Sequence, residues 1–371
     1  MVIANQQPLL SAKIDYPLAS FRLQAEFDIG QRGITALFGR SGSGKSSLLR
    51  VLAGLTKDSR SDIRFNGRVW QDKHAFLASH KRHIGFVCQQ PQLLPHLNVR
   101  ANISFAYQRR FNQHGPSLDE LSQWLGLSQL LDKWPQQLSG GQQQRVAIAR
   151  SLACHPDLLL MDEPLSALDV DSREEILHHL EQLHRKLPTP IIYVSHNVEE
   201  IHRLADEVIV LDNGQIRQRG SLLELANQLH SPLHGDQHST LLEASVSHYD
   251  PRWQLTTVTL ADKQKLQLAG QPGMIGSPLR IRIPARDVSL TLSKADDTSI
   301  LNCLRATIHH IENDAGAGAL IQMHIGQGKQ PLLAKLTQKS VHQLQLTVGC
   351  QVIAQIKGVA MLSDQPSKTT T

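Results

Sequence analysis

Gly39, Gly44, Lys45 and Ser46 stand at the spacing G-x-x-x-x-G-K-[ST] in "LFGRSGSGKSSLLR", directly after the apolar run "GITALFG" and before the helical run "SSLLRVLAGL". Glycines at these places let backbone N–H groups turn toward a polyphosphate, and the start of the following helix adds its positive end. On this reading Gly39, Arg40, Ser41, Gly42, Ser43, Gly44, Lys45, Ser46 and Ser47 cradle a nucleotide. Lys45 then reaches the β- and γ-phosphates and the Ser46 hydroxyl holds Mg²⁺. Farther along, "LLLMDEP" is an apolar strand that delivers Asp162 and Glu163 at its end, where α/β sheets bind ligands. Asp162 is expected to complete the Mg²⁺ shell and Glu163 to polarise a water for in-line attack on the γ-phosphate. In "LSGGQQQRVAIARSLA", Ser139 is placed to cap a helix, Gly140 and Gly141 free its first N–H groups to approach an anion, and Val146, Ala149 and Ala153 give it a small-residue packing face.

These side chains need elements that bring them together. "IIYVSH" and "EVIVLDNGQI" repeat the apolar strand pattern of "LLLMDEP", and between them lie helical stretches such as "SREEILHHLEQLHRKL", where Ile176, Leu180 and Leu183 share one face. The alternation predicts a mostly parallel sheet with helices packed on it. Asn66-Gly67 and Asn213-Gly214 read as tight hairpins. Around "NQLHSPLHGDQHST", from about Gln228 to Thr240, the apolar rhythm fades and a linker is expected. Beyond it Leu304, Ala306 and Ile308 alternate with Arg305, Thr307 and His309, and Ile321, Met323 and Ile325 alternate with Gln322 and His324, which marks a small all-β domain. The polar end "SDQPSKTTT" is expected to fray.

At 371 residues the chain has length for more than one core, and 40% hydrophobic with 19% charged residues describes a globular protein. The net charge of +5 is scattered, with no basic stripe, so no nucleic-acid partner is indicated. Cys88, Cys154, Cys303 and Cys350 form no CxxC pair and read as reduced thiols. No run of about 18 apolar residues and no signal-like start is found, so the chain is read as neither secreted nor membrane-spanning.

From about Ile14 to Gln228 the chain resembles the ATP-binding cassette (ABC) family. "GRSGSGKS" looks like its P-loop, "LSGGQ" its signature (Ser139, Gly140, Gly141, Gln142), "LLLMDEP" its acidic strand, "SALD" from Ser166 to Asp169 its dimer-contact loop, and His196 in "YVSHN" its switch histidine. Gln89 in "IGFVCQQPQLLP" matches the glutamine that senses Mg²⁺ and touches the membrane partner. The resemblance implies a P-loop ATPase fold with a helical subdomain, and a head-to-tail homodimer with two ATP molecules between one subunit's P-loop and the other's signature. It also implies His196 at the γ-phosphate and an aromatic residue stacked on adenine, for which Tyr16 is favoured over Phe21.

From Thr298 to Leu362 the tail resembles the small molybdate-binding (Mop) domain family, most specifically in "SVHQLQLTVG", and "LRIRIPARDVSL" looks like the first part of the accessory OB-like (TOBE) barrel of importer ATPases. The implied layout is an ABC domain at 1–229, a linker at 230–240, an accessory β segment at 241–297, a Mop domain at 298–363 and a flexible tail at 364–371. Together these resemble the ATPases of bacterial molybdate importers. The resemblance implies a peripheral subunit on the cytoplasmic face of the inner membrane, bound to a permease that is fed by a periplasmic oxyanion-binding protein. Molybdate at the tail would be held by Ser299, Asn302, Lys335 and Ser340. The rival readings are an importer of sulfate or tungstate and a soluble ABC ATPase without a transport role.

Overall fold

The computed structural model describes residues 8–58, 60–235, 237–270, 273–293, 297–313, 316–326, 330–357 and 362–363. The tail expected to fray, 364–371, lies outside the described residues. The chain divides into two compact units, one ending at Leu222 and the other beginning at Leu223.

The first unit carries β1 (Leu10–Pro17), β2 (Arg22–Ile29), β3 (Ile34–Phe38), α1 (Lys45–Leu52), β4 (Asp62–Phe65), β5 (Arg68–Gln71), β6 (Ile84–Val87), α2 (Val99–Tyr107) and α3 (Leu118–Trp124). It continues through α4 (Gly140–Ala153), β7 (Leu158–Asp162), α5 (Val170–Lys186), β8 (Ile191–Ser195), α6 (Val198–Leu204), β9 (Glu207–Asp212) and β10 (Gln215–Ser221). The strands form one ten-stranded sheet in the order β5-β4-β1-β2-β10-β9-β3-β8-β7-β6. From β9 to β6 all neighbours run parallel, and the inner strands β7 and β8 are buried on both faces, which is why they read as unbroken apolar runs. The expectation of a mostly parallel sheet fits this half, while β1, β2, β4 and β5 pair antiparallel as an added arm. Both expected hairpins are present: Asn66 and Gly67 have φ of 47° and 74°, and Asn213 and Gly214 have 47° and 76°, the left-handed pair that a two-residue loop requires. Ile176, Leu180 and Leu183 of α5 are buried together, in a core shared with Val146 and Ala149 of α4.

After α7 (Leu222–Ala226) come β11 (Ser239–Asp250), β12 (Leu255–Leu260), β13 (Lys265–Ala269), β14 (Pro278–Pro284), β15 (Val288–Thr291), β16 (Asn302–Asn313), β17 (Gly318–Ile325), β18 (Gln330–Thr337), α8 (Gln338–Gln343), β19 (Gln351–Ile356) and β20 (Leu362–Ser363). The segment expected as a linker, 230–240, is packed into this unit: Leu233, His234, Ser239 and Thr240 are buried, and the Thr240 hydroxyl accepts from the Leu333 N–H. The alternation read in β16 and β17 is observed, with Leu304, Ala306, Ile308, Ile321, Met323 and Ile325 all in the core.

Two five-stranded sheets make the second unit, β13-β12-β11-β14-β20 and β15-β19-β16-β17-β18. They do not follow the expected division at 297/298. β15, from before it, pairs with β19, and β20, from after it, pairs with β14. One core, from Leu242 and Val258 to Leu304 and Ile356, serves both sheets.

Asn302, expected to face an oxyanion, is instead a tie between these sheets. It is 1% exposed, its Oδ1 accepts from the Gln267 N–H at 2.6 Å and its Nδ2 donates to the Gln267 carbonyl at 3.0 Å. The remaining candidates are also separated. Glu312 is level with Leu320 and Leu320 with Lys335, so Lys335 lies by the far end of β16, roughly 30 Å along the strand from Asn302. Ser340 is engaged with the Thr337 hydroxyl that caps α8, and Ser299 is exposed ahead of β16. Ser299, Asn302, Lys335 and Ser340 therefore do not meet as one site within one chain.

Replacing Asn302 with Ala leaves the partly buried N–H and carbonyl of Gln267 without their side-chain partner, and a loss of about 1 kcal/mol is expected. Urea unfolding of the full chain measures it, and a midpoint equal to that of the unsubstituted protein contradicts the tie.

Candidate functional site

The site begins with strand register. Phe38 is level with Ser195, Val194 with Asp162 and Met161 with Val87, so four neighbouring parallel strands end in one row. Gly39, His196, Glu163 and Gln89 emerge from that row at the carboxyl edge of the sheet.

Gly39 leaves β3 under a close approach: a Cβ there would lie 2.1 Å from the Leu211 carbonyl oxygen. Gly44, at φ 102°, turns the chain into α1 and gives that helix no side-chain cap. By contrast α2, α3, α4, α5 and α6 are each capped by a side chain, from Asn98, Ser117, Ser139, Asp169 and Asn197. The first N–H groups of α1 are thus left for an outside acceptor, and the positive end of the helix favours an anion there. The Ser43 hydroxyl, buried in the same loop, has no hydrogen-bond partner among the described residues.

Lys45, 4% exposed, donates from Nζ to the carbonyls of Gly39 (2.8 Å) and Arg40 (3.0 Å) and lies 3.7 Å from Glu163 Oε1. Burial pulls its pKa down, and the carboxylates of Glu163 and Asp162 oppose that pull. Ser46 donates to Asp162 Oδ1 at 2.9 Å. Burial pushes the Asp162 carboxyl above the usual range, more than the Ser46 hydrogen bond lowers it. A hydroxyl and a carboxylate side by side at a helix start form an oxygen pair suited to a hard divalent cation. On the other side Glu163 Oε2 is 3.1 Å from His196 Nδ1, so Lys45, Glu163 and His196 form one chain of contacts. The imidazole is 55% exposed and the Glu163 side chain 18%.

Glu163 itself has φ 44°, a left-handed backbone costing on the order of 1–3 kcal/mol. Its N–H donates to the Val194 carbonyl, and its carbonyl accepts from both the N–H and the hydroxyl of Ser166. Gln89, expected beside the cation, donates instead to the Ser166 hydroxyl at 3.1 Å. Ser166, the first residue of the loop 166–169, thereby joins Gln89 to Glu163.

Ser139 caps α4 in a reciprocal pair with Gln142. Gly140 is exposed, as anion approach requires, whereas Gly141 is buried and a Cβ there would lie 2.8 Å from Ser172 Cβ. Its smallness serves the packing of α4 on α5. Of the two aromatic candidates, Phe21 is the one set against the loop, its ring beside Gly44 and Gly214, while Tyr16 is half-buried against the core of the sheet. Sequence reasoning missed Tyr193, Ser195, Glu200 and Arg173, which lie behind His196. The available signal was two hydroxyls, at 193 and 195, on one face of an otherwise apolar strand.

The ABC transporter family profile matches residues 23–166 and the TOBE domain profile residues 298–362. The molybdenum import ATP-binding protein ModC of Saccharophagus degradans is 46% identical over 344 residues, 92% of this chain and 94% of its own. That of Thiobacillus denitrificans is 43% identical, covering 94% of this chain and 96% of its own. Among solved structures, cbiO1 of Clostridium perfringens, part of the ABC transporter complex cbiONQ, superposes with a TM-score of 0.51 at 27% identity over 59% of this chain and 90% of that one.

The raised Asp162 pKa fixes the sign of a pH effect. The folded chain holds this proton more tightly than the unfolded chain, so stability falls as pH rises through the window between the unfolded and folded values. Asp162→Asn is expected to raise the thermal midpoint of the ligand-free protein at neutral pH, with the gain shrinking as the pH is lowered into the carboxylate range. A lower midpoint than wild type at neutral pH contradicts this.

Proposed function

This chain belongs to the ABC transporter ATP-binding proteins, within the molybdenum-import group, and on that premise we propose that it hydrolyses ATP to drive molybdate uptake through a membrane permease. The observation that carries the reading is the contact chain Lys45–Glu163–His196 beside the Ser46–Asp162 pair, at the start of the uncapped helix α1. The uncapped N–H groups and Lys45 bind the phosphates of ATP. Mg²⁺, when bound, neutralises phosphate charge, and Ser46 and Asp162, with Gln89, are the residues to hold it. Glu163 accepts hydrogen bonding from the attacking water and draws its proton, with its backbone fixed by Val194 and Ser166. His196 steadies the Glu163 carboxylate and faces the γ-phosphate. An aromatic ring of the β1–β2 hairpin, Tyr16 or Phe21, is the adenine platform.

Ser139 and Gly140, exposed at the start of α4 with Leu168 of the dimer-contact loop beside Gly140, serve the ATP of a second copy in a head-to-tail homodimer. Among the described residues no helix is long and apolar enough to cross a membrane, which suits a peripheral subunit on the cytoplasmic face of the bacterial inner membrane. The permease crosses the membrane, and a periplasmic oxyanion-binding protein delivers cargo to it. The similarity to molybdenum importers over nearly the whole chain favours molybdate over sulfate.

Glu163→Gln is expected to keep ATP affinity and lose at least about a hundredfold in turnover, the scale of a general base. Cells holding only this variant should accumulate less molybdenum at limiting molybdate and assimilate sulfate normally. Normal molybdenum content together with impaired sulfate uptake would move the assignment to a sulfate importer. Ser139→Arg, mixed with wild type into heterodimers, is expected to abolish hydrolysis at the site facing the altered helix while its own chain still binds ATP; full activity at both sites rules out the shared arrangement.

A further inference from the structure

Behind His196 lies a buried polar group that the hydrolysis chemistry does not use. Glu200 on α6 is 3% exposed, and its Oε2 accepts from the hydroxyls of Tyr193 and Ser195, both at 2.8 Å. The Ser195 hydroxyl in turn accepts from the Asn197 N–H at 2.9 Å, so the residues on both sides of His196 are tied to one carboxylate. The other oxygen, Oε1, faces Nε of Arg173 on α5 at 3.8 Å. The same guanidinium donates from Nη2 to the carbonyl of Leu168 at 3.4 Å. Leu168 lies in the loop 166–169, whose first residue, Ser166, already holds Gln89 and Glu163.

A carboxylate taken out of water costs free energy that an ion pair rarely returns in full, and an apolar side chain of similar volume is often as stable. Packing alone therefore gives no reason for Glu200. What the pair does provide is a charge contact at 3.8 Å, with Arg173 Nε making no hydrogen bond among the described residues, between two functional segments that are remote in sequence. The loop 166–169 also follows directly from the strained Glu163, so both ends of the link converge on the groups that touch the γ-phosphate.

We propose that Glu200 and Arg173 are positioning residues that make the His196 segment and the loop Ser166–Asp169 shift as one piece. The inference rests on the ATPase reading above. In the head-to-tail dimer that loop contacts the partner, so docking of the second copy is transmitted through Leu168, Arg173 and Glu200 to His196. Neither residue touches nucleotide, and their loss should leave ATP affinity in place while disturbing the geometry of hydrolysis.

The test is steady-state ATP hydrolysis by the purified full-length chain with Glu200→Gln, Arg173→Met and the double substitution. Each single change is expected to lower kcat by about ten- to hundredfold, the scale of a small misplacement of catalytic groups, with KM for ATP within about twofold. The double variant should be no slower than the slower single, because both break the same link. Arg173→Lys should recover part of kcat. Wild-type kcat in both single variants, or effects that multiply in the double, overturns the proposal. Should Glu200→Gln fail to fold, Arg173→Met with its lysine rescue decides alone, since that side chain is partly exposed. Wild type active and Glu163→Gln inactive means the ATPase reading stands whatever Glu200 does; a wild-type chain that hydrolyses no ATP removes both.

Discussion

The lateral register of β3, β8, β7 and β6 is the constraint on which the site depends. Parallel strands lie about 4.8 Å apart, so strands ending level place successive residues within side-chain reach of one another. Here the row is Gly39, His196, Glu163 and Gln89, taken from four segments spread between residues 38 and 196. A slip of one residue in any pairing would send that strand's last side chain to the opposite face of the sheet. The full burial of β7 and β8 on both faces is therefore more than core packing, because it prevents that slip.

On this row the charges are arranged so that none is left alone. Lys45 is removed from water but keeps two carbonyls and the field of two carboxylates. Asp162 is shifted toward its protonated form by burial, which leaves it responsive to any cation that restores the charge balance. Glu163 stores backbone strain that three hydrogen bonds from neighbouring elements keep in place. These are costs to the stability of the free chain, and those at Lys45 and Asp162 lie where a bound polyphosphate and its cation would offset them.

Much of this was legible in the sequence because the motifs are local: glycine spacing, the apolar run before Asp162 and the capping serine each act within a few residues. The sequence could not tell that Gln89 would donate to Ser166, since that bond depends on which strands are neighbours. Gly141 looked like a backbone exposed to an anion, yet its smallness is required by Ser172 on a different helix. Tyr16 and Phe21 differ by position on a hairpin, and only the folded turn at Gly214 sets Phe21 against the loop. Asn302 failed as a ligand for a similar reason: a polar residue at the start of a strand looks exposed until a second sheet covers it. The segment 230–240 has the composition of a linker and is nevertheless packed, because Leu233 and the Thr240 hydroxyl find partners far along the chain.

The exchange of β15 and β20 between the two sheets of the second unit bears on how such a unit can be inherited. A stretch beginning at 298 can be recognised by itself as a TOBE domain, but it is not a module that a crossover could transplant there. A recombinant joined at that point would carry β19 without the edge strand fitted to it, and β14 would face a β20 shaped against another chain. The division the fold itself shows lies instead at Leu222, where the chain separates into two compact units.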